Sequence, residues 1–443
     1  MRFSLSQIAE VLGSPLRSDV QATGFSIDSR TLQAGDLFFA LSGPNHSGND
    51  YVEEVLKKRA AGVVATKNFP GPVILVTDAL LALQKLASWA REKWGGDVIG
   101  VTGSAGKTST KDIAAALLGS KLQVGKTEGN FNNHVGLPLS ILRLPEEVEV
   151  AVLEMGMNHE GEIRTLARIA KPKIGVVTTV GYAHMEYFHS IEEVAAAKHE
   201  LIEALPASGT AVLNADDPLV HAFSFAGKKV TYGVDNFADI RAQDVELLSS
   251  GARFRVDEVQ FETSLLGRHG VRNILAGIAV AGLYGIMPSE LREAVASLKP
   301  GKMRGERFTH QGILIFDDCY NSNPEAARSM IDVLRDTPAR RKIAVLGEML
   351  ELGRWSESLH GDLGRYVAQS GISVLVGIRG AARHMVDSAT QAGLPAEAAF
   401  FFDDPTAAGQ QLKRIAREGD LVLFKGSRGT HLELALESFL GAD

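Results

Sequence analysis

One stretch constrains the fold of this 443-residue chain more than any other: Ile99-Gly-Val-Thr-Gly103-Ser104-Ala105-Gly106-Lys107-Thr108-Ser109. It reads as an apolar strand, Val98–Thr102, that enters a glycine loop and leaves it as a helix beginning at the lysine. Glycines 103 and 106 let backbone N–H groups converge on a phosphate with no side chain in the way. Lys107 can reach β- and γ-phosphates, and the Thr108 hydroxyl suits Mg²⁺. Val101 stands where the longer G-x-x-x-x-G-K-[ST] loop has its first glycine, so this is the shorter G-x-x-G-K-T form. The apolar strand before the loop and the helix-compatible run Asp112–Leu118 after it give the tripeptide its context. ATP or GTP is the expected ligand.

The rest of the chain is organised around that unit as an α/β protein of three domains. Residues 1–95 form a first block, with short apolar pieces from Val20 to Leu41, a helix over Tyr51–Ala61, a strand at Gly62–Thr66 and a helix over Leu80–Trp94. Gly95-Gly96 then reads as a hinge. In the central block, 96–299, strands at Val98–Thr102, Val150–Glu154, Ile174–Thr178 and Thr210–Asn214 alternate with helices at Lys111–Leu118, Glu160–Ala170 and Ile191–Leu205. Such alternation predicts a parallel sheet covered on both faces, here a central P-loop ATPase domain. After a linker at Lys299–Lys302, block 300–443 alternates in the same way. Its strands are Ile313–Asp317, Ile343–Leu346, Ser373–Val376, Ala399–Phe402 and Leu421–Phe424. Its helices are Pro324–Arg335, Ser358–Gln369, Ala381–Ala392, Thr406–Arg417 and Leu432–Leu440. This is the pattern of a doubly wound, Rossmann-like domain.

Composition narrows the function classes. The net charge of −7 comes without any lysine- or arginine-rich run, which argues against nucleic acid as a partner. Glu10 and its polar neighbours stand where a signal peptide needs an apolar core, and no apolar run approaches the ~20 residues of a membrane span. A single cysteine, Cys319, excludes an internal disulfide framework and cysteine-based zinc sites. A soluble cytoplasmic protein with no membrane insertion is expected.

Several residues at strand ends carry chemistry. Glu154 closes the strand Val150–Glu154 at the carboxyl edge of the sheet, where ligands bind in open parallel sheets, and its carboxylate suits a Mg²⁺ shared with ATP phosphates. His184 follows another strand to the same edge, as a ligand or an ordinary satisfied histidine. Lys198 lies among alanines 195–197, either solvated or buried with a lowered pKa. Asn273 precedes the small-residue helix Ile274–Leu283, as its cap or as a nucleobase contact. The run Asp317-Asp-Cys-Tyr-Asn321-Ser-Asn323-Pro324 holds more hydrogen-bonding groups than a turn needs. Cys319 within it reads as a small packing residue.

Together these pieces resemble the Mur ligase family of peptidoglycan synthesis, over essentially the whole chain. The residues carrying the resemblance are Ser29-Arg30, Gly35–Leu41, Thr102–Ser109, Thr127–Asn133, Gly136–Pro138, Glu154–Gly156, His184, Lys198, Asn214–Pro218, Gly267–His269 and Asn273. Within the family, Asp317–Pro324 and Leu346-Gly-Glu-Met-Leu-Glu-Leu-Gly353 look like the member that adds D-alanyl-D-alanine to UDP-N-acetylmuramoyl-tripeptide. The resemblance implies ATP and Mg²⁺ as cofactors, an acyl-phosphate intermediate, and roles for individual residues. Lys107 serves the phosphates. Thr108 and Glu154 hold a first Mg²⁺, and His184 with carbamylated Lys198 holds a second. Asn273 contacts adenine, and Asp317 and Asn321 the ribose or the dipeptide. Ser29, Arg30, Asn132, Asn133 and Asn323 fall on the substrate side. Gly270 replaces a usual Asn, Asn49 a usual His, and Cys319 and Ser322 a usual Ser and Ala. A monomer is expected, with closure of the domains about the two linkers.

Overall fold

The computed structural model describes residues 1–44 and 46–441, and three separate α/β units account for the chain. In the first, four parallel strands lie in the order Gly24–Ser26, Asp36–Phe39, Gly62–Ala65, Val73–Leu75. In the second, seven parallel strands place Asp97–Thr102 between Val150–Glu154 and Ile174–Val177. That position explains the unbroken apolar run from Val98 to Val101, since a strand covered on both faces has no polar side to present. Successive strands are laid down on opposite sides of Asp97–Thr102, so the sheet has its switch point at the carboxyl end of this strand. The glycine loop emerges there. In the third unit six strands follow the order Glu306–His310, Ile313–Asp318, Asp420–Lys425, Arg341–Gly347, Val374–Ile378, Ala399–Phe402, and only the first pair is antiparallel. Among the described residues no helix is long and apolar enough to cross a membrane.

The central unit contains more β structure than the sequence suggests. The parallel sheet continues through Lys228–Gly233 to Ile240–Arg241, and a separate antiparallel sheet is formed by Gln243–Leu248, Gly251–Val256 and Val259–Thr263. Alternation explains this small sheet. Phe254 and Phe261 stack at 5.4 Å on the inner face, while Arg253 pairs with Glu246 and Glu262 on the outer one. The helix expected from Ile274 runs over Gly267–Leu283, because Arg268, His269 and Arg272 occupy its first turns instead of a loop. Asn273 therefore lies inside the helix and cannot cap it.

The first and second units share one apolar core. Leu5, Phe25 and Leu86 belong to the same buried cluster as Leu137, Leu153 and Leu166. Polar ties reinforce it: the Arg91 side chain donates to the Ala170 carbonyl at 2.7 Å, and Trp94 Nε1 to that of Val148 at 2.7 Å. The Gly95-Gly96 pair, expected as a hinge, directly follows these two anchoring side chains. Gly95 (φ 71°) closes the helix Ala79–Trp94 in the left-handed conformation, and a side chain on Gly96 would meet the Trp94 ring. The glycines there serve a tight helix end. The linker at Lys299–Lys302 lies after the last helix of the central unit, and beyond it Gly305 N–H is already bonded to Asp317 of the third sheet.

In the third unit the helices Ser356–Gln369 and Ala382–Gln391 cross at glycines. A Cβ on Gly364 would stand 2.0 Å from the Met385 carbonyl oxygen, whereas one on Gly361 would meet the rotatable Ser388 hydroxyl at 2.9 Å. Gly364→Ala should therefore destabilise the protein by roughly 1–3 kcal/mol through overpacking, and Gly361→Ala by much less. Urea unfolding of the two variants checks this; equal midpoints would contradict the packing account.

Candidate active site

The glycine loop is stitched to the end of the neighbouring strand. Ser104 N–H donates to the Thr179 carbonyl at 2.8 Å, its hydroxyl accepts from Gly181 N–H at 2.9 Å, and Ala105 N–H donates to Thr179 Oγ1 at 3.0 Å. Gly103, at φ 148°, tolerates no side chain, because a Cβ would run into Thr178 Oγ1. Gly106 (φ 82°) opens the helix Lys107–Leu118 and lies against the Asn273 carboxamide, which also accepts from Thr110 Oγ1 at 3.3 Å.

Four ionisable groups meet beside the loop. Lys107 Nζ donates to the carbonyl of Gly103 at 2.6 Å, and burial holds its pKa below the usual lysine range, opposed by the nearby Glu154 carboxylate. Lys198 is buried, and burial, followed by the Lys107 charge, drives its pKa well below that range. Glu154 accepts from Asn132 Nδ2 at 2.8 Å through one oxygen, while its other oxygen is buried with no partner. His184 sits in the left-handed region (φ 62°); Glu351 of the third unit, itself at φ 63°, approaches its Nδ1 to 2.7 Å without lying in line for a hydrogen bond. Burial lowers the His184 pKa against the pull of that carboxylate. Among the described residues no three His, Cys, Asp or Glu side chains form a metal-binding group. A cation here would depend on these few donors together with oxygens from a ligand.

The third unit forms the facing wall. Asn323 caps the helix Pro324–Asp336 by accepting from Ala326 N–H at 2.9 Å, and its Nδ2 donates across to the Ser104 carbonyl at 3.2 Å. Between the walls lies a cleft of about 790 Å³, which takes in most of the residues expected from sequence: Ser104 to Ser109, Asn132, Asn133, Glu154, His184, Asn273, Asn321 and Asn323. Gly103 is not part of the lining, although its carbonyl holds Lys107 Nζ, and four further expected residues lie elsewhere. Lys198 is beneath the cleft wall. Ser29 is buried, its carbonyl holding Lys58 Nζ at 2.9 Å, and Arg30 points to solvent, paired with Asp28 at 2.7 Å.

Asp317 is the fourth, and it is a correction. Successive side chains on the strand Ile313–Asp318 face opposite ways. Asp317 is therefore turned inward, accepting from Cys319 N–H at 3.1 Å, and Asp318 faces the cleft, paired with Lys425 at 2.6 Å. Cys319 is a fully buried packing residue whose thiol pKa is pushed up by burial. Asn133 spends its carboxamide oxygen on Val135 and Gly136 N–H, at 3.1 and 2.9 Å, fixing the start of the helix Gly136–Leu142. Sequence reasoning missed Arg272, Arg304 and Arg328 in the cleft wall, beside Tyr320 of the 317–324 run. Arg304 stacks on Tyr320 at 3.8 Å, an arrangement with no signature in the linear order.

Three family models match the chain in succession. Residues 21–87 match the Mur ligase family catalytic domain, 101–281 the Mur ligase middle domain and 303–428 the Mur ligase glutamate ligase domain. The chain is similar to the UDP-N-acetylmuramoyl-tripeptide–D-alanyl-D-alanine ligases of Bacillus subtilis (36% identical, covering 97% of this chain and 96% of the relative) and Escherichia coli (32%, 97% and 96%). Among solved structures it is similar to the MurF ligase of Thermotoga maritima in complex with ADP (TM-score 0.85, 31% identical, 95% and 97% covered). It is also similar to MurF of Acinetobacter baumannii (TM-score 0.92, 26% identical, 100% and 99% covered).

His269, on the cleft wall, has its pKa pushed down to about 4 by burial and then by the Arg272 and Lys425 charges. Between pH ~6.5 and 4 the unfolded chain binds the proton that the folded chain refuses, so stability falls as pH drops through that window. His269→Gln should flatten that part of the profile of melting temperature against pH. A variant slope identical to that of the parent would contradict this reading.

Proposed function

Because the chain belongs to the Mur ligase family, we propose that it is the ATP-dependent ligase that joins D-alanyl-D-alanine to UDP-N-acetylmuramoyl-tripeptide in peptidoglycan synthesis. The supporting observation is that the two third-unit segments, 317–324 and 346–353, both close on the phosphate side of the cleft, through Asn323 on Ser104 and Glu351 on His184. A phosphoryl donor held by the central unit and an amine brought by the third unit thus meet at one place.

In this reading the tripeptide's terminal carboxylate attacks the γ-phosphorus of ATP, ADP leaves, and an acyl phosphate results. The dipeptide amine then attacks the acyl carbonyl, phosphate leaves, and the amine gives up its proton as the peptide bond forms. Little covalent chemistry falls to the protein, so its contribution is position and charge. Lys107, now bonded to Gly103, turns to the β/γ-phosphates; Gly103, Ser104 and Ala105 shape the loop, and the N–H groups from Gly106 to Ser109 hold the phosphates. Asn273, packed on Gly106, orients the nucleotide end of the loop, with Asn321 and Asp318 on the opposite wall. Ser29, Arg30, Asn132 and Asn133 are assigned to the UDP-linked substrate, and Asn321 and Asn323 to the dipeptide side.

Mg²⁺ fits the donor set: Glu154 has an unpartnered buried oxygen and His184 an unaligned Nδ1, and Thr108 has a hydroxyl at the helix start. When bound it neutralises the charge of the phosphate oxygens. Burial favours Lys198 as the neutral amine, the form that adds carbon dioxide, and its carbamate would replace a cation with oxygen donors. We divide the chain at 95/96 and 299/300, and assign it as a cytoplasmic monomer.

Purified protein given ATP, Mg²⁺ and UDP-N-acetylmuramoyl-tripeptide should release phosphate at a rate that depends on D-alanyl-D-alanine, with the coupled peptide as product. Release indifferent to the dipeptide would refute the assignment. Lys198→Ala should lower kcat on the order of 100-fold, with no recovery in excess bicarbonate. Full activity in that variant would leave Lys198 a packing residue.

A further inference from the structure

Three consecutive backbone N–H groups beside the phosphate loop are accepted by three different elements. Val180 donates to Asp217 Oδ2 at 2.7 Å, Gly181 to Ser104 Oγ at 2.9 Å, and Tyr182 to Glu325 Oε1 at 3.0 Å. The first two acceptors belong to the central unit, and the third comes from the helix Pro324–Asp336 of the third. Glu325 reaches its place through a gap where residue 181 lacks a side chain. A Cβ on Gly181 would stand 2.4 Å from Glu325 Cδ and 2.5 Å from Oε2. The Oε2 atom is buried against that bare Cα with no hydrogen-bond partner. A carboxylate surrenders water to enter such a place, which raises its pKa, and it recovers the Tyr182 N–H, its own backbone N–H and the attraction of Arg328. Asn323, two residues earlier, holds the Ser104 carbonyl at 3.2 Å. The start of one third-unit helix therefore grips the phosphate loop directly, through Asn323, and also through the 180–182 run that leads to His184.

We propose that Glu325 is a positioning residue for the ligation: by entering the Gly181 notch it makes docking of the third unit and ordering of the Ser104–His184 side of the site a single event. The inference rests on the ligase reading above for the reaction it serves, but its geometry is a property of the two units alone. When the notch is empty, the central unit still binds nucleotide through its own loop, but Tyr182 N–H and the path to His184 are unanchored.

The test uses the full chain with Glu325→Ala, Glu325→Gln, Gly181→Ala and the Glu325→Ala/Gly181→Ala pair. Glu325→Ala should lower kcat roughly tenfold with KM for ATP changed less than twofold. Glu325→Gln, which keeps an oxygen for Tyr182 N–H, should restore most of the loss. Gly181→Ala should reproduce Glu325→Ala by expelling the carboxylate, yet add nothing in the Glu325→Ala background, a strongly non-additive cycle. Unchanged kcat in Glu325→Ala, no recovery in Glu325→Gln, or effects of the two positions that simply multiply would overturn the proposal. Small-angle scattering with a non-hydrolysable ATP analogue separates this failure from failure of the ligase reading. Parent protein that compacts while Glu325→Ala does not supports the notch even if no dipeptide is joined, and equal compaction of both refutes it.

Discussion

The reciprocal bonding of Ser104 with the 179–181 segment is the interaction on which the rest of this structure depends. A glycine loop is conformationally free by composition, and a free loop would pay the full entropy of ordering each time it met a phosphate. Here it is ordered before any ligand arrives, because Ser104 both donates to and accepts from the neighbouring strand end. The same segment leads on to Tyr182 and His184, whose anchoring is completed by Glu325 of the third unit. The third unit then needs to recognise only this ordered edge to bring its own residues into register.

That edge is electrostatically incomplete. Burial lowers the protonation of both Lys107 and Lys198, and the Lys107 charge depresses that of Lys198 further. Glu154 offsets part of this and leaves one oxygen uncommitted. Anionic ligand atoms and a hard cation are what such an arrangement lacks. The left-handed backbone at both His184 and Glu351 indicates that packing across the two units holds a local conformation that neither segment would favour alone.

Much of this was legible in the linear chain, for a physical reason. Buried parallel strands carry continuous apolar runs, so Val98–Thr102, Val150–Glu154 and Ile174–Val177 stand out, and the residues at their carboxyl ends fall automatically on one edge. What was not legible depends on phase or on tertiary approach. The polar–apolar alternation of Gly251–Val256 marks a half-exposed sheet, easily missed beside stronger helical signals. Asp317 and Asp318 are indistinguishable until the strand's phase is known. Arg304 and Glu325 enter the site only because a second unit folds over the first, and nothing local to them announces it, whereas Glu351 lies in the 346–353 segment that carries the resemblance.

The continuous core of the first two units has a mechanical consequence. Helix Ala79–Trp94 is anchored to the second unit by apolar packing and by the Arg91 and Trp94 donors. Among the described residues, the third unit's buried clusters take in one central residue, Leu266, with Tyr182 packed against them. The three units thus pack as two bodies, a large one carrying the nucleotide loop and a smaller one carrying Asn321 to Glu325. Heating should register this as two cooperative blocks of unequal size, the larger spanning everything before Lys299. Between the larger body and the smaller one the chain passes once, through the short proline-glycine segment Lys299–Lys302.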